Sequence, residues 1–494
     1  MLPESTAGKD MTARPDKRLG RFAARGALVT MAGQACRILL QFGGIIVLAR
    51  LLSPGDYGLL AMVIAIIGIG DVLRDFGLSA AAIQADSVSP QQRSNLFWIN
   101  SLIGLALAVA AYAAAPWIAR FYDQPLLVPI ARALAITFVL KGLATQYRAQ
   151  LNRDMRFGAL SAVEIGGQGI GLATGVALAL QGYGYWALVM QGVAHAATTL
   201  VLLLALTRWC PGLPRRGAAM GNLLRYGWNL MNMQLIAYLS RNVDALVIGH
   251  RFGAESLGLY NRAYQLLMLP LDQINAPATT IALPVLSRIK GDRDRYSAFL
   301  LHGQAALLHA VVAVFTFACA QAEPLILLVL GSQWAPAVPL FQILAVGGVF
   351  QAAGHASYWV FLSKGLTGSQ LRYVLTTRIV IIGAVLVGAN WGALGVATAF
   401  SVALAVKWWS GLFWLRNSGA PVGIMFRNGV RMIAVYGGCG LVSALASSQL
   451  AVSMSGRLAV GTVAMCVAFG AVCAAWPWFR ENVAAIVRTW SLLR

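Results

Sequence analysis

Charge is what this 494-residue chain has least of: 11% of its residues are charged, and only 17 are acidic against 38 Lys and Arg. Soluble domains carry about a quarter charged residues, so an ordinary soluble protein is excluded. The six cysteines, Cys36, Cys210, Cys319, Cys439, Cys466 and Cys473, are scattered with no CxxC. That excludes a disulfide framework and a thiolate metal site of the usual spacing. There is no P-loop and no HExxH, and the five histidines (His195, His250, His302, His309 and His355) are dispersed, so no nucleotide, metal or other cofactor is expected. A membrane polymerase or glycosyltransferase would need a sizeable outer loop with polar catalytic residues, and no such loop is present. The chain does not read as an enzyme.

What fills the chain is apolar sequence. Hydrophobic residues make up 59%, and the mean hydropathy is +0.69. About 20 apolar residues suffice to span a bilayer, and fourteen such stretches are expected: 26–49, 57–73, 95–116, 126–147, 158–180, 184–206, 226–249, 257–286, 299–320, 337–362, 371–389, 391–413, 428–449 and 457–478. The fold class is therefore all-α, a polytopic membrane protein of about fourteen transmembrane helices.

The net charge of +21 is spread over alternate gaps between spans, which is the positive-inside pattern and not a nucleic-acid-binding patch. One set of gaps holds nearly all the cations, while the other holds only Arg50, Arg120, Arg251 and Arg457. Both termini are accordingly expected in the cytoplasm, with the protein in a bacterial inner membrane. The basic segment 1–25 precedes the first span, and Leu19–Arg25 reads as a short amphipathic helix on the inner leaflet.

An internal echo suggests two halves. Shifted by 200 residues, Met31 meets Met231, Gln34 meets Gln234, Leu39 meets Leu239, Val47 meets Val247, and Gly58-Leu59 meets Gly258-Leu259. Repeated halves around a central pathway are the usual plan of secondary transporters. The expected organisation is an N-lobe over 26–207, a cytoplasmic linker over 208–221, a C-lobe over 222–416, two further spans over 417–479 and a tail over 480–494. Pro270, Pro277 and Pro284 favour kinks in the eighth span. Gly166, Gly167, Gly169, Gly171 and Gly175 favour close packing of the fifth. Trp117, Trp186, Trp334 and Trp391 at one set of span ends, with Trp408 and Trp409 among those at the other, read as an interfacial belt.

Polar residues inside spans are costly and mark pathways. Thr30, Gln34, Arg37 and Gln41 form one stripe on the first span; Gln234, Tyr238 and Arg241 form one on the seventh. With Arg262, the residues Gln34, Arg37, Gln41, Gln234, Tyr238 and Arg241 are the candidates for contact with an anionic amphiphile, since arginine suits phosphate through its planar fork. Leu40 and Ile46 should face away from water. Asp71, Asp75, Glu164 and Asp244 are the candidates for ion coupling. Arg241 and Asp244, three residues apart, could equally pair with each other.

Three segments carry a resemblance. VLARLLSPGDYGLLAMVIAIIGIGDVLRDFGLSAAAIQ (Val47–Gln84), RNVDALVIGHRFGAESLGLYNRAYQL (Arg241–Leu266) and GSQWAPAVPLFQIL (Gly331–Leu344) resemble Wzx-like polysaccharide flippases of the multidrug/oligosaccharidyl-lipid/polysaccharide superfamily. The resemblance covers about Gly26 to Arg416. It implies two six-helix lobes plus two C-terminal helices, and alternating access that flips undecaprenyl-pyrophosphate-linked oligosaccharide for exopolysaccharide, capsule or O-antigen synthesis. The implied partners are that cargo, membrane lipids, and polymerase and chain-length or export proteins. A drug/cation antiporter of the same superfamily should carry a more acidic cavity, and a peptidoglycan-precursor flippase would differ in the sugar. The charge pattern generates a first prediction: reporters fused at residue 15 and after Arg494 both read as cytoplasmic, and an external reading at either end refutes the even span count.

Overall fold

The computed structural model describes residues 17–75, 89–215, 221–449 and 453–491. Fourteen helices of 21 to 46 residues carry the fold among the described residues. The first six are α1 (Lys17–Leu51), α2 (Pro54–Asp75), α3 (Pro90–Phe121), α4 (Leu127–Arg153), α5 (Phe157–Leu180) and α6 (Tyr185–Thr207). Next come α7 (Gly221–Arg241), α8 (Val243–Arg288), α9 (Arg293–Ala320) and the short α10 (Ala322–Val329). Then follow α11 (Ala337–Ser363), α12 (Thr367–Gly388), α13 (Gly392–Trp414), α14 (Val422–Ser448), α15 (Met454–Ala475) and the terminal α16 (Pro477–Ser491). Leu19–Arg25 is helical and continuous with the first span, and most of the expected tail is helical as α16.

Eleven stretches are long and apolar enough to cross a membrane, one of which, Thr367–Trp414, holds both α12 and α13. The helices α7 and α8 fall outside that set. They carry Arg225, Arg241, Asp244, His250, Arg251, Glu255, Arg262 and Asp272, polar groups tolerated at membrane depth only where a bundle interior or cavity receives them. The expected seventh span, 226–249, is divided: α7 stops at Arg241, and Val243 already belongs to α8.

Local chemistry sets the start of α2. Ser53 directs its N–H and its hydroxyl to the Asp56 carboxylate at 2.9 and 2.7 Å, and the Asp56 N–H returns to Ser53 Oγ at 3.2 Å. This is a reciprocal cap with proline at the first helical position. Two hundred residues on, Gly253 leaves helical geometry at φ 80° and ψ −176°, the break within α8, while Pro270, Pro277 and Pro284 leave its backbone angles helical. The departure from helical angles among the described residues of α8 lies at Gly253, a position the sequence did not single out.

These two starts meet. A Cβ added at Gly58 would overlap the Ala254 carbonyl, and one added at Gly258 would overlap the Pro54 carbonyl. The pairs 54/254 and 58/258 are each 200 apart, so the contact is reciprocal, like that of an isologous dimer, and the sequence echo is realised as a crossing of α2 and α8. The ends of α1 and of the first turns of α8 close around it. Arg50 donates to the Leu328 carbonyl. Gln333 Nε2 and Trp334 Nε1 donate to the Ala49 carbonyl at 2.7 and 2.8 Å, satisfying an acceptor that a helix end leaves free. On the pseudo-equivalent side, His250 Nδ1 lies 2.6 Å from the Phe121 carbonyl, and the two rings stack at 4.7 Å.

This clasp gathers the sparse cations at one end of the bundle. Arg50 and Arg251 lie in it, Arg251 reaching Asn390 at 3.4 Å; Arg120 adjoins Phe121; and Arg457 pairs with Glu323 at 3.4 Å. Trp334 is fully buried against Tyr57, with ring centroids 5.5 Å apart, and Trp408 is also buried. Both leave the expected interfacial belt for the core, whereas Trp117 and Trp391 are 71% and 70% exposed.

The glycines of α5 act in packing. A Cβ at Gly167 would press on Thr199 Oγ1 at 2.5 Å, and one at Gly171 on the Gln191 carbonyl at 2.9 Å, so this face allows α6 to approach closely. The start of the linker is strapped to α3: Trp98 Nε1 donates to the Gly212 carbonyl at 2.9 Å, and Asn95 Nδ2 to the Arg215 carbonyl at 2.8 Å.

Overpacking a filled contact costs about 1–3 kcal/mol, and here the obstacle is backbone. Gly58→Val and Gly258→Val are each expected to lower the thermal unfolding midpoint of the detergent-purified protein by several degrees. An unchanged midpoint in both variants would show that the crossing is not tightly packed.

Candidate functional site: a cavity beneath the clasp

A cavity of about 530 Å³ lies directly under the clasp, bounded by Leu48, Tyr57 and Gly258 and walled by α1, α2, α5, α6 and α8. Its polar lining is mostly uncharged: Gln41, Gln168, Gln191, Asn261 and Gln265, with the rings of Tyr57 and Tyr264. Arg262 is the one charged side chain among its described lining residues. Arg262 is 8% exposed; its guanidinium sits 3.8 Å over the Tyr57 ring and donates to Gln265 Oε1 at 2.8 Å. A desolvated cation gains from an aromatic face, but no acid pairs with Arg262 among the described residues.

A second cavity of about 580 Å³ adjoins the first at Ile64 and is walled by α2, α4 and α6. It is charged, and its cations are ion-paired. Asp71 is bound by Lys141 Nζ at 2.8 Å and by Arg74 at 3.5 Å. Arg74 also donates to Thr145 Oγ1 at 2.9 Å. Arg148, on the same wall, pairs with Glu164 at 2.6 Å. Opposed charges at such distances hold one another in place and offset much of the cost of leaving water.

Of the residues singled out in the sequence, the structure places Gln41 and Arg262 on the first cavity and Asp71 on the second. The α1 wall of the first cavity consists of Leu40, Gln41, Gly44, Ile45 and Leu48. Leu40 thus faces the cavity, contrary to its expected position, because the packing of α1 against α5 turns this face inward. Gln34, Arg37, Gln234 and Arg241 do not border either cavity. Tyr238 is engaged structurally, its hydroxyl donating to the Ile64 carbonyl at 2.8 Å, so that it ties α7 to α2. Arg241 is exposed and bonds back to the Ala237 carbonyl at 3.3 Å. Its pairing with Asp244 does not form: Asp244 is buried and accepts from the Tyr260 hydroxyl at 2.7 Å and from the Ala245 N–H at 2.9 Å. Glu164 is held by Arg148. The side chains of Thr30 and Asp75 lie outside the described residues.

Sequence reasoning missed Gln168, Gln191, Asn261 and Gln265. Neutral amides carry no charge signal, and only the flanking of Arg262 by Asn261 and Gln265 on one helix pointed to them. It also missed that the three segments carrying the resemblance converge: Ala49 to Gly58, His250 to Gly258 and Gln333-Trp334 are the clasp itself.

With this geometry in view, comparison with known proteins identifies the group. A family model described as "Polysaccharide biosynthesis protein" matches residues 47–339, more than half of the chain. The teichuronic acid biosynthesis protein TuaB of Bacillus subtilis (strain 168) is 29% identical over 296 residues, 60% of this chain and 61% of that protein. The lipopolysaccharide biosynthesis protein WzxC of Escherichia coli (strain K12) is 26% identical over 366 residues, 72% of this chain and 73% of that protein. The chain therefore spans less than two thirds of TuaB. Among solved structures, the lipid II flippase MurJ in an inward closed conformation superposes with a TM-score of 0.72 at 13% identity, over 92% of this chain and all of that one. At this identity the likeness establishes the fold alone. The matched family model, the two relatives and the shared helical architecture together place the chain in the polysaccharide biosynthesis protein family.

Proposed function

We propose that this protein flips an undecaprenyl-pyrophosphate-linked oligosaccharide across the bacterial inner membrane by alternating access, with both termini in the cytoplasm. The observation that carries the reading is the pair of joined cavities inside the helix bundle, sealed at one end by a reciprocal clasp. A helix-walled cavity closed at one end is what alternating access requires of one of its two states. The sparse cations gather at the clasp, so by the positive-inside rule the clasp is the periplasmic closure.

The cargo is an anionic amphiphile, and the chain offers cations within its spans. Arg37 and Arg241 make no ion pair among the described residues. We assign them to the pyrophosphate, met as the cargo enters or leaves. Gln34, Gln41, Gln234, Tyr238 and Arg262 complete the substrate path. Asp71 and Glu164, each held by a cation, are where an ion gradient would act, by competing for the carboxylate; Asp75 and Asp244 are the further candidates for that role. The periplasmic product would feed polymerase and export proteins.

Arg37→Gln and Arg241→Gln are expected to lower the flipping rate of lipid-linked oligosaccharide in proteoliposomes at least tenfold. Lysine at either position should restore only part of the rate, since ammonium lacks the bidentate fork. Both neutral variants flipping at the unaltered rate would refute the assignment.

A further inference from the structure

The lipid-facing side of α3 carries a charged feature that the transport path does not use. Trp98, Leu102, Leu105, Val109 and Tyr112 recur at spacings of four, three, four and three, and they are 42% to 67% exposed. Such spacing is one face of a helix. On a helix long and apolar enough to cross the membrane, an exposed apolar face is the one that meets acyl chains. Toward the clasp end, Arg132 of α4 interrupts it. The guanidinium lies 4.7 Å from the centre of the Tyr112 ring. It makes no ion pair and no hydrogen bond to the rest of the protein among the described residues. A charge within a span usually faces the bundle interior or a water-filled cavity. Arg132 is instead exposed and borders neither cavity of the transport path.

Depth narrows what can meet this cation. Trp117 is 71% exposed and marks the interface at this end. Tyr112 lies five residues before it on α3, roughly 7.5 Å deeper at 1.5 Å per residue. Arg132 likewise lies five residues inside the start of α4 at Leu127. Water is scarce at that level, and the nearest anions are the lipid phosphates just above it. A phosphodiester takes a guanidinium through its planar fork. The Tyr112 hydroxyl, without a hydrogen-bond partner among the described residues, adds a donor.

Beside this pair, α3 and α4 part into a groove of about 390 Å³, walled by Ala108, Val109, Ala113, Ala135 and Ile136. The three alanines leave room between the helices, and Val109 and Ile136 are 62% and 51% exposed along it. An apolar groove with one cation at its outer end matches a lipid with its tail below and its phosphate above. A phosphatidylcholine brings its own cation to such a site. A lipid of net negative charge leaves Arg132 compensated.

We propose that the α3–α4 groove is a site for an anionic phospholipid of the leaflet on the clasp side, with its phosphodiester on Arg132 and Tyr112 and an acyl chain along Val109 and Ile136. The site lies on the outer surface of the bundle, apart from cargo recognition, so it stands or falls independently of the flippase reading.

The experiment places the purified full-length protein in phosphatidylcholine nanodiscs. A minor fraction of the lipid is a probe, phosphatidylglycerol or phosphatidylcholine with a diazirine on one acyl chain, and the labelled residues are read by mass spectrometry after illumination. The expected result is at least fivefold more label on residues 105–113 of α3 and 132–140 of α4 from the phosphatidylglycerol probe than from the phosphatidylcholine probe. Arg132→Gln should lower the phosphatidylglycerol label there to the phosphatidylcholine level and leave label elsewhere on the protein unchanged. Arg132→Lys should keep part of the difference. Ala113→Leu, which fills the groove, should lower the label from both probes. The proposal is overturned if both probes label the groove equally in the unaltered protein, or if Arg132→Gln keeps the difference. It is also overturned if a polyprenyl pyrophosphate displaces the label and unlabelled phosphatidylglycerol does not, which would give the groove to a carrier lipid. If Arg132→Gln does not fold, Arg132→Lys and the comparison of the two probes in the unaltered protein decide.

Discussion

Two glycines let α2 and α8 touch backbone to backbone, and much of the molecule is arranged around that crossing. Gly58 faces Ala254 and Gly258 faces Pro54, so neither helix can rotate or slide without its Cβ-bearing neighbours meeting a carbonyl. Four side chains around the crossing satisfy helix-end carbonyls of the opposite half: Arg50, Gln333 and Trp334 on one side, His250 on the other. Each bond of this kind adds only about 1 kcal/mol net. In the proposed transport cycle, a closure of several modest bonds and a tight steric fit would seal one state and open when cargo supplies competing interactions.

The two cavities beneath the crossing differ in how their charged groups are met. In the second cavity Asp71 is paired with Lys141 and Arg74, and Arg148 with Glu164, three cations against two acids. The first leaves Arg262 facing open space with neutral companions. One compartment thus meets each of its cations with an acid nearby, and the other holds a single cation with no acid beside it among the described residues.

Much of the fold was legible in the sequence because hydropathy acts over whole helices. The 200-residue echo set Gly58-Leu59 against Gly258-Leu259, where α2 and α8 cross. The charge alternation foresaw that Arg50, Arg120, Arg251 and Arg457 share one end. What the sequence could not convey is who meets whom. Trp334 looked like an interfacial anchor because tryptophan near a span end usually is, yet tertiary contact with Ala49 and Tyr57 buries it. The proline spacing in α8 drew attention to kinks and gave no sign that Gly253 leaves helical geometry. Asp244 looked like a partner for Arg241 at i,i+3, and instead turns to Tyr260, sixteen residues away. The amides of the first cavity were unreadable because Gln and Asn in a membrane helix serve packing and binding alike.

The central claim is that the clasp must open for cargo to cross. A short thiol-reactive bridge between Arg50→Cys and Gln333→Cys, in a background free of the six native cysteines, tests it in proteoliposomes carrying lipid-linked oligosaccharide. The account predicts that bridging stops flipping, that cleaving the bridge restores it, and that either single cysteine alone leaves it unaffected by the reagent. Undiminished flipping by fully bridged protein would contradict it.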